Sequence, residues 1–279
     1  MGSEWQSLVL GLLAAFSWGG SDFLGGLASK RISAIFVTIC SAMLGGGLLA
    51  VAALVLREPF PSLPERLWAG VAGVFAAGAT ALLYTALSTE KMGVVAPIAG
   101  VVATVLASAL GDIVEGLPTS LQLIGFALAL LGIWLLSNPR VAGVTARALR
   151  LSVTVGLGAG LFFFAIRQAS YTSAFWANCL ERATSVAVLG IAAAVMRPDL
   201  SLRRAPWPQL ALLGVLDTCG ALLFTLAART GRLDVATVIS SLYPGGTILL
   251  AWIALKEPIT RLQWAGIGLA LAAIAVIAV

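Results

Sequence analysis

The chain reads as an all-α integral membrane protein of ten transmembrane helices, arranged as two inverted five-helix repeats around a central cavity. Three observations predict this. Of its 279 residues 60% are hydrophobic and only 10% are charged, against roughly 25% charged in an ordinary soluble domain. The apolar residues fall in consecutive runs of about 20, the length that crosses a hydrocarbon core of about 30 Å. The two halves of the chain also resemble each other at a spacing of about 140 residues.

Proline, glycine and charge clusters divide the sequence into spans at 5–28, 33–56, 67–88, 93–114 and 119–137, then 150–169, 173–196, 207–228, 234–255 and 260–278. The first run has no basic segment before it and exceeds the h-region of a signal peptide, so it reads as a retained membrane helix. "LSNPRVAGVTARALR" is the longest polar connection. It separates a first repeat, 1–138, from a second, 150–279, by a linker at 139–149. "LLYTALSTEKMGVVAP" from Leu82 lies over "LLFTLAARTGRLDVAT" from Leu222, and "EGLPTSLQLIGFALALLGIWLL" from Glu115 over "EPITRLQWAGIGLALAAIAVIA" from Glu257. Polar positions match as well, Thr85 with Thr225 and Gln122 with Gln263, which shared hydrophobicity alone does not explain. The pattern reads as a duplication. Because each half has an odd number of crossings, the second copy enters from the opposite side, an arrangement that places a transport site near the bilayer midplane.

The formal charge of +5 comes from Lys and Arg grouped between apolar runs, with no stripe on a polar face, so it points to topology and not to nucleic acid. Lys30, Arg31, Lys91, Arg140, Arg147, Arg150, Arg197, Arg203, Arg204, Lys256 and Arg261 collect on one side. Arg57, Arg66, Arg229 and Arg232 lie on the other. The richer side is expected in the cytoplasm of a bacterial inner membrane, which puts both termini outside. Cys40, Cys179 and Cys219 have no CxxC spacing and the chain contains no His, so neither a disulfide framework nor a metal site is expected. The three thiols are expected to be buried and reduced, and no cofactor is expected.

"WGGSDFLGGLASKR" resembles the first-helix signature of the ten-helix EamA family within the drug/metabolite transporter superfamily. "SSLYPGGTILLAWIALKEPITRLQWAGIGLALAAIAVI" resembles that family's segment in which a Pro-containing ninth helix is followed by a Glu, a Thr three residues on, a Gln and a Gly. "EGLPTSLQLIG" echoes it in the first half. The resemblance covers nearly the whole chain and implies secondary transport. Members move amino acids, nucleotide sugars, quaternary amines and other metabolites, and are usually drawn with cytoplasmic termini, the reverse of the charge tally here.

An ionisable side chain inside a membrane helix costs ~2.5 to 3.5 kcal/mol on insertion scales, which makes each a functional candidate. Asp217, in "LLGVLDTCGALLF", and the adjacent Glu181 and Arg182 lie nearest the middle of their spans. Asp22 lies nearer an end, among Gly19, Gly20, Gly25 and Gly26; Arg167 and Asp112 lie near helix ends, where they reach the interface. Asp22 is read either as a cation or proton site facing a cavity or as an interfacial carboxylate paired with Lys30 or Arg31. Asp217 is a second candidate proton carrier, or a protonated carboxyl bonded to a neighbouring helix. Adjacent residues point about 100° apart on a helix, so Glu181 and Arg182 are not expected simply to neutralise each other. Glu181 is read as a structural partner of another helix. Arg182, sharing a face with Asn178 and Ser185, is the candidate anchor for a carboxylate or phosphate.

Trp18, Tyr84, Phe162, Phe163, Phe164, Trp176 and Tyr243 are placed to border the cavity, where ring faces attract ammonium groups; each is otherwise ordinary packing. Trp5, Trp68, Trp134, Trp207 and Trp264 read as interfacial anchors. Pro97 and Pro244 fall inside helices four and nine as kinks or hinges. The substrate-binding candidates are therefore Trp18, Asp22, Tyr84, Phe163, Trp176, Asn178, Arg182, Asp217 and Tyr243.

The function these features favour is secondary transport, and by the resemblance export, of small amino acids or related amine metabolites by alternating access. The alternative is a carrier of quaternary or lipophilic cations. With no His, proton coupling falls to Asp22 and Asp217. An enzyme is not expected: "ALGD" at Ala109–Asp112 is a poor match to the GxGD of intramembrane aspartyl proteases, and a Ser/His protease lacks its base. The expected partners are a small molecule, the lipid bilayer and protons, with the protein a monomer or weak homodimer.

Overall fold

The structure is a computed structural model that describes residues 2–90, 92–136, 145–198, 205–255 and 259–277. Among these there is no strand. The helices are α1 (Gly2–Ser29), α2 (Ala34–Val55), α3 (Leu63–Thr89), α4 (Met92–Glu115), α5 (Ser120–Leu136), α6 (Ala146–Ala169), α7 (Ala174–Met196), α8 (Trp207–Thr230), α9 (Leu233–Ser240), α10 (Tyr243–Leu255) and α11 (Arg261–Ile277). Seven of them are long and apolar enough to cross a membrane, and α5 and α11 are shorter apolar helices. Lys91, Arg140, Arg203, Arg204 and Lys256, together with most of the linker at 139–149, lie outside the described residues.

Local chemistry sets the helix ends. α3 starts four residues before the expected 67 because Ser62 and Glu65 form a capping box with Pro64 inside the first turn. Glu65 also accepts from the Thr172 N–H at 2.6 Å and hydroxyl at 2.9 Å, tying α3 to the α6–α7 connection. α6 likewise starts early, at Ala146, where Thr145 accepts from the Ala148 N–H. The matched Gln122 and Gln263 cap their helices in the same way, because each side-chain oxygen accepts the backbone N–H of the Thr three residues before it, Thr119 at 2.9 Å and Thr260 at 3.0 Å. Past the ends of α2 and α7, Arg57 and Arg197 both take the left-handed conformation, φ 54° and 47°, which turns the chain out of the helix.

The expected ninth helix, 234–255, is two helices. The chain breaks at Ser241 and Leu242, and Pro244 is the second residue of α10, where a missing N–H costs no helical bond. Pro97, by contrast, lies within an unbroken α4.

Contacts between the halves come in equivalent pairs. α1 packs chiefly on α8 and α3 on α6; α6 packs on α4, and α1 on α9 and α10; α2 meets α7, and α5 meets α11. The correspondence reaches single residues at close helix crossings. Gly11 sits against Ile239 while Gly156 sits against Ala99 and Val102. Gly73 faces Glu181 and Thr184 while Gly214 faces Ser41 and Leu44. Gly132 faces Gly266 while Gly125 faces Ala273. Such small residues allow backbones to approach where lipid supplies no hydrophobic drive.

One end of the molecule carries an ionic network between the halves. Arg232 pairs with Asp234 at 2.7 Å and Asp112 at 3.6 Å and donates to the Gly116 carbonyl at 2.7 Å. Glu115 accepts the Leu233 N–H at 2.8 Å and lies 3.8 Å from Arg167, whose guanidinium sits 4.7 Å from the Tyr171 ring centre. Asp112 and Arg167 thus meet partners at helix ends. The thiols depart from expectation: all are free, but Cys40 and Cys179 are half-buried and Cys219 is exposed, because α8 turns Cys219 outward while its neighbours Asp217 and Thr218 face inward.

Candidate functional site

A cavity lies near mid-length of the helices and is lined by α1, α3, α6, α7, α8 and α10. It offers about 90 Å³ to the centres of water-sized molecules, against the 10–15 Å³ that one water needs. Its ionisable lining is Asp22, Glu181, Arg182 and Asp217. If all four were charged, three carboxylates against one guanidinium would leave −2.

Arg182 is held inside the protein. Its Nη1 donates to Asp217 Oδ2 at 2.5 Å, and its Nη2 to the Asp217 carbonyl at 3.4 Å. The Ser41 hydroxyl donates to the same Oδ2 at 2.8 Å. α7 and α8 project the pair inward from positions whose first-half equivalents, by the spacing above, carry no charge: Ala42 for Arg182 and Ala76 or Ala77 for Asp217. Glu181 does approach its chain neighbour, with Oε2 3.3 Å from Arg182 Nε, since the long Arg side chain folds back over the 100° offset. Neither of those two atoms makes a hydrogen bond.

Asp22 differs from the other carboxylates. It is 6% exposed and faces the cavity. Among the described residues no donor and no cation pairs with it, so the interfacial reading, a partner at Lys30 or Arg31, is not what the structure shows.

Aromatic rings form one wall. Trp18 stacks on Phe163 at 5.5 Å between ring centres, and Phe163 lies 4.5 Å from Phe224 and 5.6 Å from Phe162. The Trp18 indole has room because Gly220 carries no side chain: a Cβ there would sit 2.6 Å from the ring. Tyr243, at the start of α10, is anchored by its hydroxyl, which donates to the Ala96 carbonyl at 3.1 Å, and lines the cavity beside Asp22.

Six of the nine sequence candidates, Trp18, Asp22, Phe163, Arg182, Asp217 and Tyr243, therefore meet at one cavity. Three do not line it. Tyr84 is fully buried against Gly25. Trp176 donates its indole N–H to the Glu58 carbonyl at 3.2 Å and packs on Phe60, because it sits in the first turn of α7, away from the centre. Asn178 donates to the Ala174 carbonyl and to Thr225, each at 2.9 Å; it faces α8, whereas Ser185 faces α3. Phe164 turns away from Phe163 to pack on Trp68. Thr80 and the alanines of α3, α6 and α8 also line the cavity. Nothing in their residue type marks them, since an alanine lining a cavity looks like an alanine at a helix crossing.

The chain matches one family twice, at residues 5–138 and 147–279, the EamA-like transporter family. The chain belongs to the EamA-like transporter family. A protein of similar sequence is YwfM of Bacillus subtilis (strain 168), an uncharacterized transporter, 28% identical over 288 residues that cover 95% of this chain and 91% of that one. A protein of known crystal structure has the same fold, with a TM-score of 0.77 at 17% identity, over 97% of this chain and 95% of its own. This EamA protein is accordingly an integral membrane protein of a transporter family.

Proposed function

We propose that the protein is a secondary transporter of small organic amines, and that Asp22 receives the ammonium group. The observation that carries this is the unpaired carboxyl of Asp22 in a cavity walled by Trp18, Phe162, Phe163 and Tyr243. A desolvated ammonium over a ring face gains ~2 kcal/mol, and the carboxylate supplies the counter-charge that a low-dielectric site requires. Arg182, engaged by Asp217, is not offered to a substrate carboxylate, so amine recognition takes precedence over recognition of a whole amino acid.

Transport proceeds by alternating access of two repeats related by an axis in the membrane plane. The antiparallel α5–α11 crossing supports that axis, since Gly132 meets Gly266 while Gly125 meets Ile277. Proton exchange at Asp22 against the amine supplies the coupling, and export is the direction the family resemblance implies. Lys30, Arg31, Arg147, Arg197 and Arg261 lie at the helix ends of one face, which favours a bacterial plasma membrane with that face inward and the termini outside.

Counterflow in sealed liposomes tests the reading, with a panel of labelled amines and amino acids. Simple amines are expected to exchange, and Asp22→Asn to abolish exchange while the variant melts at the wild-type temperature. Unchanged amine counterflow in Asp22→Asn, or exchange only of solutes that carry a carboxylate, would refute it.

A further inference from the structure

Ser185 presents a hydrogen-counting problem. Its hydroxyl oxygen is 2.9 Å from the Gly73 carbonyl oxygen and 2.9 Å from Glu181 Oε1. A serine has one O–H to donate, so it cannot satisfy both acceptors. Ser185 is buried, as is Glu181 at 1% exposure, and an oxygen-to-oxygen contact at 2.9 Å with no proton between would be repulsive.

We propose that Glu181 is a proton-binding site of the cavity and holds its proton in this conformation. The neutral acid donates from Oε1 to Ser185 Oγ, and Ser185 passes its own hydrogen to the Gly73 carbonyl. Each of the two Ser185 contacts then has one hydrogen between its oxygens. The other oxygen, Oε2, becomes the carbonyl of the acid. That matches its contact with Arg182 Nε, close at 3.3 Å but without a hydrogen bond, whereas an ionised carboxylate beside a guanidinium normally makes one.

Charge balance leads to the same place. Among the described residues Arg182 is the only cation lining the cavity, and its close hydrogen-bonded partner is Asp217, which Ser41 also serves. Once that pair is neutral, Glu181 has no cation of its own. The titratable groups that face it are Arg182 and Asp217, with Cys179 on its own helix; Tyr84 and Asp22 lie across the same cluster. Of these only Arg182 favours an ionised Glu181. Glu181 lines the cavity, so its proton is reachable when the cavity is wet. Gly73 belongs to α3 of the first half, so the chain from Glu181 through Ser185 to Gly73 crosses between the repeats. Loss of the proton therefore breaks a contact that the two halves share. The inference deepens the transport reading, and as a coupling site it rests on that reading; the protonation state does not.

Difference infrared spectroscopy on the purified protein in lipid nanodiscs, without substrate, tests the protonation state. The carbonyl stretch of a buried, protonated carboxylic acid is expected at neutral pH. The Glu181 component of that band should vanish in Glu181→Gln and persist in Asp22→Asn. Glu181→Gln should melt at or above the wild-type temperature, because the amide N–H replaces the acid O–H toward Ser185. A band left unchanged in Glu181→Gln, which would belong to another acid, or a Glu181→Gln protein that melts well below wild type or does not fold, overturns the proposal. In liposomes the same variant should lose amine accumulation driven by a pH gradient; retained accumulation removes the coupling role. Loss of the Asp22 reading with the Glu181 band intact would leave this site standing, so the two failures are distinguishable.

Discussion

The Arg182 guanidinium lies deep in its span and is engaged by Asp217. Removing one member of a buried pair leaves the other charge without compensation and typically costs about 3–5 kcal/mol, whereas replacing both is far milder. Arg182→Gln is therefore expected to lower the melting temperature of the purified protein substantially, and Asp217→Asn in the same chain to recover much of the loss. Additive losses in the double variant would show that the two side chains do not depend on each other. Loss of transport in Arg182→Gln alone thus does not identify a carboxylate substrate. Asp22 is the position at which charge removal reports on the ligand.

At the scale of helices, the crossing of α1 with α10 explains Gly19, three residues before Asp22. A Cβ at Gly19 would come within 2.8 Å of the Tyr243 carbonyl and 3.0 Å of the Gly246 Cα, both backbone atoms. At Gly20 it would meet only the tip of the Leu216 side chain, at 3.0 Å. Thr247 fastens the same crossing by donating to the Gly19 carbonyl at 3.1 Å. Gly19→Ala is expected to cost about 1–3 kcal/mol and to displace Tyr243 from the cavity; Gly20→Ala should be near neutral. Thermal melts of the two variants give the comparison, and equal effects would remove this account. The glycine run, most of the spans and the match of Gln122 with Gln263 are legible because each is a local pattern of period or spacing. The break between α9 and α10 is not, since Pro97 and Pro244 look alike in sequence and only position in the helix separates them. Tyr84, Trp176 and Asn178 were misplaced relative to the cavity for a related reason. Their helices were right, but which side of a helix faces the cavity is set by neighbours far away in the chain.

For the whole molecule, among the described residues, the two ends are not equally bonded across the halves. At one end Arg232 of the second half meets Asp112 and the Gly116 carbonyl of the first, and Glu115 meets the Leu233 N–H and Arg167. Arg232 stays firmly protonated there, held first by its hydrogen bond to Asp234 and then by Glu115 and Asp112. At the other end the corresponding link, Glu90 to Arg147 at 3.8 Å, has its Arg 68% exposed, and exposed pairs contribute ~0 to 1 kcal/mol. Rocking of one repeat against the other must break one set of links while the other holds, so the stronger end resists opening. A cysteine placed in the cavity at Ala159, with Cys40, Cys179 and Cys219 replaced, reports on access. A membrane-impermeant thiol reagent applied from the Arg232 side is expected to label it slowly, and Arg232→Gln to raise the rate by several-fold, with little effect from Arg147→Gln. Because the links are partly exposed, raised salt should mimic the Arg232 change. Labelling from that side that is fast in the parent and indifferent to Arg232→Gln would mean that the network braces the helix ends without controlling the path to the cavity.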